Sequence, residues 1–298
     1  MKYLVTGGAG FIGSNLVDRL IDEDHDVVVI DNESSDTNEQ FYWNKKAANY
    51  KLDICCYPDI FKLFEGVDIV FHLAAEARIQ PSIINPRLAI ETNVLGTFNV
   101  LEASKHHKVK RIIYSSTSSA YGLKNKSPLK EDMKKDCLNP YSVTKTCGEE
   151  LCIMYTKLYG VETVVFRYFN VYGPRQPLRG QYAPVVGIFL RQHNNNSSLT
   201  IVGDGNQRRD FTHVRDVVEI NCKANNLNNK SCVGEIINVG TGTNHSILEL
   251  AQMISDNYTF ISPRPAEANI TLANTDKLVR CFNWKPTNVL QEYVGRMI

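Results

Sequence analysis

Apolar residues along the chain fall into two rhythms, short β-branched runs and longer stretches at helical spacing, and through the first half the two alternate. Lys2–Thr6 reads as a short buried strand, and Phe11–Asp22 carries its apolar residues at helical intervals. Val27–Ile30 is too short for a helix and is β-branched, which predicts a strand buried on both faces. Asp68–His72, Arg111–Ser115 and Val161–Arg167 repeat that strand pattern, while Asn85–His106 and Pro140–Tyr159 read as helices. Strands alternating with helices predict an α/β fold with a parallel, doubly wound sheet. Beyond Phe169 Gly and Pro become frequent. Gln192–Ser198 is polar and Asn-rich and reads as a loop, and strands recur at Thr200–Val202 and Glu235–Val239. This half predicts a smaller α/β lobe interleaved with the last pieces of the sheet. The main domain is then 1–168 with later pieces near 212–245, and the lobe is 169–211 and 246–298.

Composition narrows the classes. At 298 residues, 43% hydrophobic and 22% charged, the chain suits one large α/β domain with a lobe attached. A net charge of +1 gives no bulk field for nucleic acid or an anionic membrane, so any anion site must be local. No apolar run approaches the roughly 18 residues of a membrane span, and the start lacks the features of a signal peptide. The eight cysteines form no C-x-x-C and no metal-like spacing with histidine. Reduced thiols, a cytoplasmic setting and no metal are expected.

Candidate chemistry begins at Thr6-Gly7-Gly8-Ala9-Gly10-Phe11-Ile12-Gly13, between the first strand and first helix. Gly7, Gly10 and Gly13 let the backbone turn tightly and approach a pyrophosphate seated on the helix N-terminus, a Rossmann-type dinucleotide site. Asp31 closes the second strand roughly twenty residues on; its carboxylate accepts both adenosine ribose hydroxyls and repels a 2′-phosphate, which favours NAD over NADP. Asp53-Ile54 would flank the adenine. Tyr141 and Lys145 are i, i+4 on a predicted helix and share a face. Such a pair alone is usually a surface pair. It gains weight from lying downstream of Ser115-Ser116-Thr117-Ser118-Ser119 at the C-terminal end of a strand, the edge where open α/β sheets bind ligands. Tyrosine is a poor base at its ordinary pKa, but an ammonium about 4 Å away favours the phenolate by about 4 kcal/mol at an effective dielectric of about 20. Thr117 is placed to hydrogen-bond the reacting hydroxyl. Glu76 and Arg78 follow a strand and read either as a surface pair or as residues reaching the substrate side; His72 and His106-His107 read as structural.

Together TGGAGFIG, Asp31-Asn32, Asp53-Ile54, His72-Leu73-Ala74-Ala75, Asn93, SSTSSAYG, Tyr141-x-x-x-Lys145, Arg167 to Gly173 and Arg209-Asp210-Phe211 resemble the extended short-chain dehydrogenase/reductase family. Within it the chain looks most like the UDP-glucose and UDP-N-acetylglucosamine 4-epimerases. The resemblance implies tightly bound, recycled NAD held by Gly7, Gly10, Phe11, Ile12, Gly13, Asp31, Asn32, Asp53, Ile54, Leu73, Ala74, Ala75, Asn93, Ser115, Tyr141, Lys145 and Tyr168. It implies Thr117, Tyr141 and Lys145 as catalytic. A UDP-sugar would meet Ser118, Ser119, Asn170, Arg209, Arg264 and Thr271, with Asn170 and the two arginines on the diphosphate. Family dehydratases carry Asp-Glu after the threonine. Ser118 and Ser119 stand there instead, and hydroxyls do not supply the acid and base for elimination near neutrality. Thr271 falls where the family places a gating side chain; being small, it leaves room for a 2-acetamido group. Asn274 departs from the usual Asp. The helices around Asn93 to Ser104 and Ser142 to Tyr159 resemble those that pair in family homodimers. Two alternatives stay open: an epimerase or decarboxylase of a UDP-uronate, and a non-catalytic NAD-sensing protein.

Overall fold

The computed structural model describes residues 1–35, 37–178, 183–263 and 268–298. Seven strands, β1 (Lys2–Thr6), β2 (Asp26–Asp31), β3 (Ala48–Lys51), β4 (Ile69–His72), β5 (Arg111–Thr117), β6 (Glu162–Tyr168) and β7 (Glu235–Val239), form one sheet ordered β7-β6-β5-β4-β1-β2-β3. Every neighbouring pair is parallel, with Thr6 opposite both Ile30 and His72, and Thr117 opposite Tyr168. The strand order reverses between β1 and β4, and ligands bind such sheets at the crevice opened there.

Alternate residues feed two cores. Tyr3, Val5, Val27, Val29, Ile69 and Phe71 pack with Leu16, Val17 and Leu20 of α1 (Phe11–Asp22) and with Val217, Val218 and Ile220. Leu4, Val28, Ile30, Val70, Ile112 and Tyr114 pack with Val100 and Leu101 of α2 (Thr97–His106) and with Cys152 and Tyr155 of α3 (Pro140–Tyr159). Burial on both faces is why these strands read as unbroken apolar runs. At the start of α3, Asn139 and Ser142 cap each other reciprocally and Pro140 occupies the first turn; Gly160, at φ 69°, ends the helix.

The expected Asn85–His106 helix is three pieces: Pro86–Ile90, a π-helical stretch Glu91–Gly96, and α2. Helix Val185–Asn194 runs into the stretch expected as loop, because its last turn is polar. Helices Val214–Lys223 and Ile247–Ile254 add to the elements expected from the sequence pattern. The lobe has its own core of Tyr172, Val186, Phe189, Leu199, Ile201, Phe211 and Leu250. Helix Asp276–Phe282, assigned to the lobe by sequence, packs on β7 and places Leu278 and Cys281 in the main core. Among the described residues no helix is long and apolar enough to cross a membrane.

Asp216 fastens the C-terminal segment. Fully buried, its carboxylate accepts from Thr287 N at 3.0 Å, Asn288 N at 3.1 Å and Asn288 Nδ2 at 2.8 Å. Asp216→Ala leaves those donors unpaired and is expected to cost about 3 kcal/mol. Urea denaturation measures the loss, and faster chymotryptic cleavage after Trp284 locates it.

Candidate active site

The turn between β1 and α1 has no space for side chains where it bends. Gly7 sits at φ 69°, and a Cβ there would lie 2.7 Å from Ala74 N; one on Gly13 would lie 2.1 Å from Gly7 O. Gly7 N donates to Ile30 O at 2.7 Å, while Leu73 N and Ala74 N donate to Thr6 O and Oγ1 at 3.1 and 3.2 Å. Gly10 caps α1 without a side chain, so the first-turn N–H groups around Phe11 and Ile12 face no protein cap. At the end of β2, Asp31 is 8% exposed and accepts from Ala9 N at 3.1 Å and Glu33 N at 2.8 Å. Burial raises its pKa, and those N–H groups oppose the rise. Asn32 Nδ2 donates to Asp53 Oδ2 at 3.0 Å. Burial pushes the Asp53 carboxyl up, but the Cys55 N–H and the Asn32 amide leave it lowered. Ile54 is buried beside them. A side-chain-free turn, an uncapped helix start and a carboxylate at the next strand end fit a dinucleotide. Asp18 on α1 draws the neighbouring segments over this end, accepting from Asn44 Nδ2 at 2.7 Å and Arg175 Nη2 at 2.6 Å. Arg175 also lies 4.8 Å from the Tyr42 ring centroid, and Tyr42 N donates to Ala9 O.

Strand β5 and helix α3 bring the catalytic candidates together. Thr117 ends β5 and accepts from Ser119 N at 3.1 Å, capping the turn that carries Ser118 and Ser119, both half-buried. Its hydroxyl also favours the ionised form of the Tyr141 phenol. Tyr141 lies in the first turn of α3, where the helix dipole favours negative charge, and its N–H is anchored on Ser82 Oγ at 3.0 Å. Its rim is accessible, yet its surroundings are dense enough that desolvation raises the phenol. Thr117 and the Arg78 guanidinium pull the other way, and Glu76 adds to the rise. One turn on, Lys145 is 3% exposed, and burial pushes its ammonium down to about 7. The ammonium lies 4.3 Å from the Tyr114 ring centroid, and Tyr114 Oη donates to Lys145 O at 3.1 Å. Gly148 permits this contact, since a Cβ there would lie 2.2 Å from Tyr114 Oη. Burial thus opposes ionisation of the phenol and of the ammonium alike.

The other expected residues sort by position. Ser115 Oγ donates to Tyr168 Oη at 3.2 Å, and Asn221 Nδ2 donates to the same phenol at 2.8 Å; burial raises Tyr168 to about 12. Asn93 has its amide engaged within the protein: Oδ1 accepts from Glu76 N, and Nδ2 donates to Glu76 O and Thr144 Oγ1. It therefore ties the β4 connection to α3. His72 bridges the Thr6 and Thr97 hydroxyls and is neutral, burial taking it down to about 3. Across the cleft, Asn170 Nδ2 donates to Asp210 O at 2.9 Å and Thr271 Oγ1 at 3.2 Å. Arg209 Nη1 donates to Arg208 O and Asn269 O. Arg264 lies outside the described residues.

Sequence reading passed over Ser82, Tyr114, Gly148, Glu149 and Asn221, and named Asp210 only within the Arg209-Asp210-Phe211 motif, with no role of its own. Fully buried Asp210 gathers Thr241 N, Gly242 N and Ala273 N on one carboxylate and so fixes the strand carrying Arg209. Only Glu149 and Gly148 left a local signal, lying one turn beyond Lys145 on the same helix.

Comparison with known proteins bears on this arrangement. The sequence profile of the NAD dependent epimerase/dehydratase family matches residues 3–240. The fold is similar to a UDP-glucose 4-epimerase of Thermotoga maritima solved with UDP-glucose, 34% identical, covering 99% of this chain and 96% of that one, with a TM-score of 0.93. It is similar to a UDP-N-acetylglucosamine 4-epimerase of Methanobrevibacter ruminantium solved with UDP-N-acetylmuramic acid, at 32% identity, 98% and 95% coverage and a TM-score of 0.91. A UDP-glucuronic acid 4-epimerase of Bacillus cereus, solved with UDP-glucuronic acid and NAD, aligns at 33% identity, 99% and 97% coverage and a TM-score of 0.89.

Gly13→Ala forces its new Cβ against Gly7 O and displaces the turn. The variant is expected to fold but to purify without NAD, as read from the dinucleotide content of the protein.

Proposed function

The chain belongs to the NAD dependent epimerase/dehydratase family, and from there we propose that it interconverts the C4 epimers of UDP-N-acetylglucosamine or UDP-glucose. The observation that carries this reading is the Thr117–Tyr141–Lys145 cluster followed by Ser118 and Ser119 rather than carboxylates. NAD, when bound, would supply a reversible acceptor for hydride from the sugar. Tyr141 would take the proton of the 4-hydroxyl, and Thr117 would hydrogen-bond the reacting oxygen. Lys145 and the α3 dipole stabilise the phenolate. Gly7, Gly10, Phe11, Ile12 and Gly13 would hold the pyrophosphate, and Asp31 with Asn32 the adenosine ribose. Asp53 and Ile54 would flank the adenine, and Leu73, Ala74, Ala75, Ser115 and Tyr168 the remainder of the cofactor. Asn170, Arg209 and Arg264 would grip the diphosphate and leave the hexose free to turn over. Thr271, small and beside Asn170, leaves space for an N-acetyl group. A UDP-uronate is the second reading; the Arg78 cation acting on Tyr141 favours it.

Incubation without added NAD separates these readings. Equilibration of UDP-N-acetylglucosamine or UDP-glucose with its 4-epimer is expected. Conversion of UDP-glucuronate alone would move the substrate to the uronates, loss of water or carbon dioxide would move the reaction, and no turnover would leave a sensor. Tyr141→Phe should lower kcat roughly a thousandfold with NAD retained; undiminished turnover removes Tyr141 as the base.

We further read the protein as a cytoplasmic homodimer. Ile90 (54% exposed), Leu95, Phe98 and Val143 present apolar side chains to solvent on the helical run around α2 and on α3. Two copies facing each other through these helices would cover them. Sedimentation velocity is expected to show a dimer that Phe98→Glu converts to monomer.

A further inference from the structure

Glu149 lies one turn beyond Lys145 on α3, on the same face, and is fully buried. Its Oε1 accepts from Ser116 Oγ and Arg167 Nε, each at 2.7 Å, and its Oε2 accepts from Arg167 Nη2 at 2.7 Å and Lys135 Nζ at 3.1 Å. Four donors occupy its lone pairs. Ser116 directly precedes Thr117, and in the sheet it stands opposite Arg167, which directly precedes Tyr168. One carboxylate thus joins the helix bearing Tyr141 and Lys145 to the two strand ends bearing Thr117 and Tyr168.

The groups facing Lys145 leave the negative charge to Glu149. From β4 comes His72, a neutral imidazole. From β5 comes Tyr114, which burial keeps protonated. Cys152 on α3 keeps its proton because burial pushes its thiol well up, and Tyr141 keeps its own in the resting protein. Burial also pushes the Glu149 carboxyl up, but Arg167, Ser116 and Lys135 bring it below the usual range, so it stays ionised. A buried ion pair adds little net stability over a well-packed apolar pair, so stability alone is a weak reason for one here.

Building on the reading above, we propose that Glu149 is a positioning residue of the reaction: its carboxylate sets the catalytic helix against the strand end carrying Thr117 and supplies the counter-charge for the Lys145 ammonium. Arg167 is the partner that keeps this carboxylate in place.

The test uses the NAD-loaded protein with lysines labelled at 13Cε, the Lys145 signal being assigned by its loss in Lys145→Met. Removing a neighbouring negative charge disfavours the ammonium, so in Glu149→Gln the Lys145 midpoint should fall by about one pH unit. The alkaline limb of kcat should move the same way. At neutral pH kcat should fall about tenfold with KM changed less than about twofold. An unmoved Lys145 midpoint, or a kcat loss matched by lost NAD or lost folded protein, overturns the proposal. If Glu149→Gln does not hold NAD, Ser116→Ala removes the strand end of the contact and keeps the ion pair. A severalfold lower kcat with an unmoved midpoint supports the role, and wild-type kcat overturns it. Because the midpoint is read without any sugar, a shifted midpoint in a protein that epimerises nothing discards the substrate reading and not the role of Glu149.

Discussion

Seven strands running one way impose a single address for chemistry. Each strand hands the chain to its next connection at the same edge, and that edge gathers Gly7, Asp31, His72, Thr117 and Tyr168 from distant parts of the sequence. Between β1 and β4 the outgoing connections part to opposite faces and leave a crevice between them. The backbone of Gly7 lies so near Ala74 that no side chain fits between them. The close packing of β1 and β4 is thus what makes this turn able to approach a ligand.

The same burial that stabilises the sheet decides which groups hold charge at its edge. His72 gives up its charge and serves as a hydroxyl bridge between Thr6 and Thr97. Lys145 remains ionisable because an aromatic face and an acidic helix neighbour offset part of its desolvation. Asp210 and Asp216 are both fully buried carboxylates satisfied by backbone donors, and both serve to fix the lobe and the C-terminal segment relative to the sheet.

What could be read from the sequence was local. The glycine spacing, Asp31 at a strand end, and Tyr141 with Lys145 one helical turn apart are each complete within a few residues, and the motifs together identify the family. The contacts that hold those residues in place span the chain: Tyr141 N to Ser82, Ser116 to Glu149, Tyr168 to Asn221, Asp210 to Ala273. No periodicity announces them. Asn93 shows the limit, a motif residue expected at the cofactor whose amide is taken up in joining Glu76 to Thr144. Helix Val214–Lys223 was hidden by its charged outer face, although Val214, Val217, Val218 and Ile220 keep helical spacing.

The interleaving of sheet and lobe sets how late in synthesis the main core is completed. The side of the sheet packed on α1 is completed by Val217, Val218 and Ile220, by β7, and finally by Leu278 and Cys281. Until those late segments leave the ribosome, the part of α1 and of the sheet that they cover stays exposed. The nascent protein therefore carries an open greasy surface through most of its translation, a state that holdase chaperones recognise and that crowded polysomes turn into aggregates.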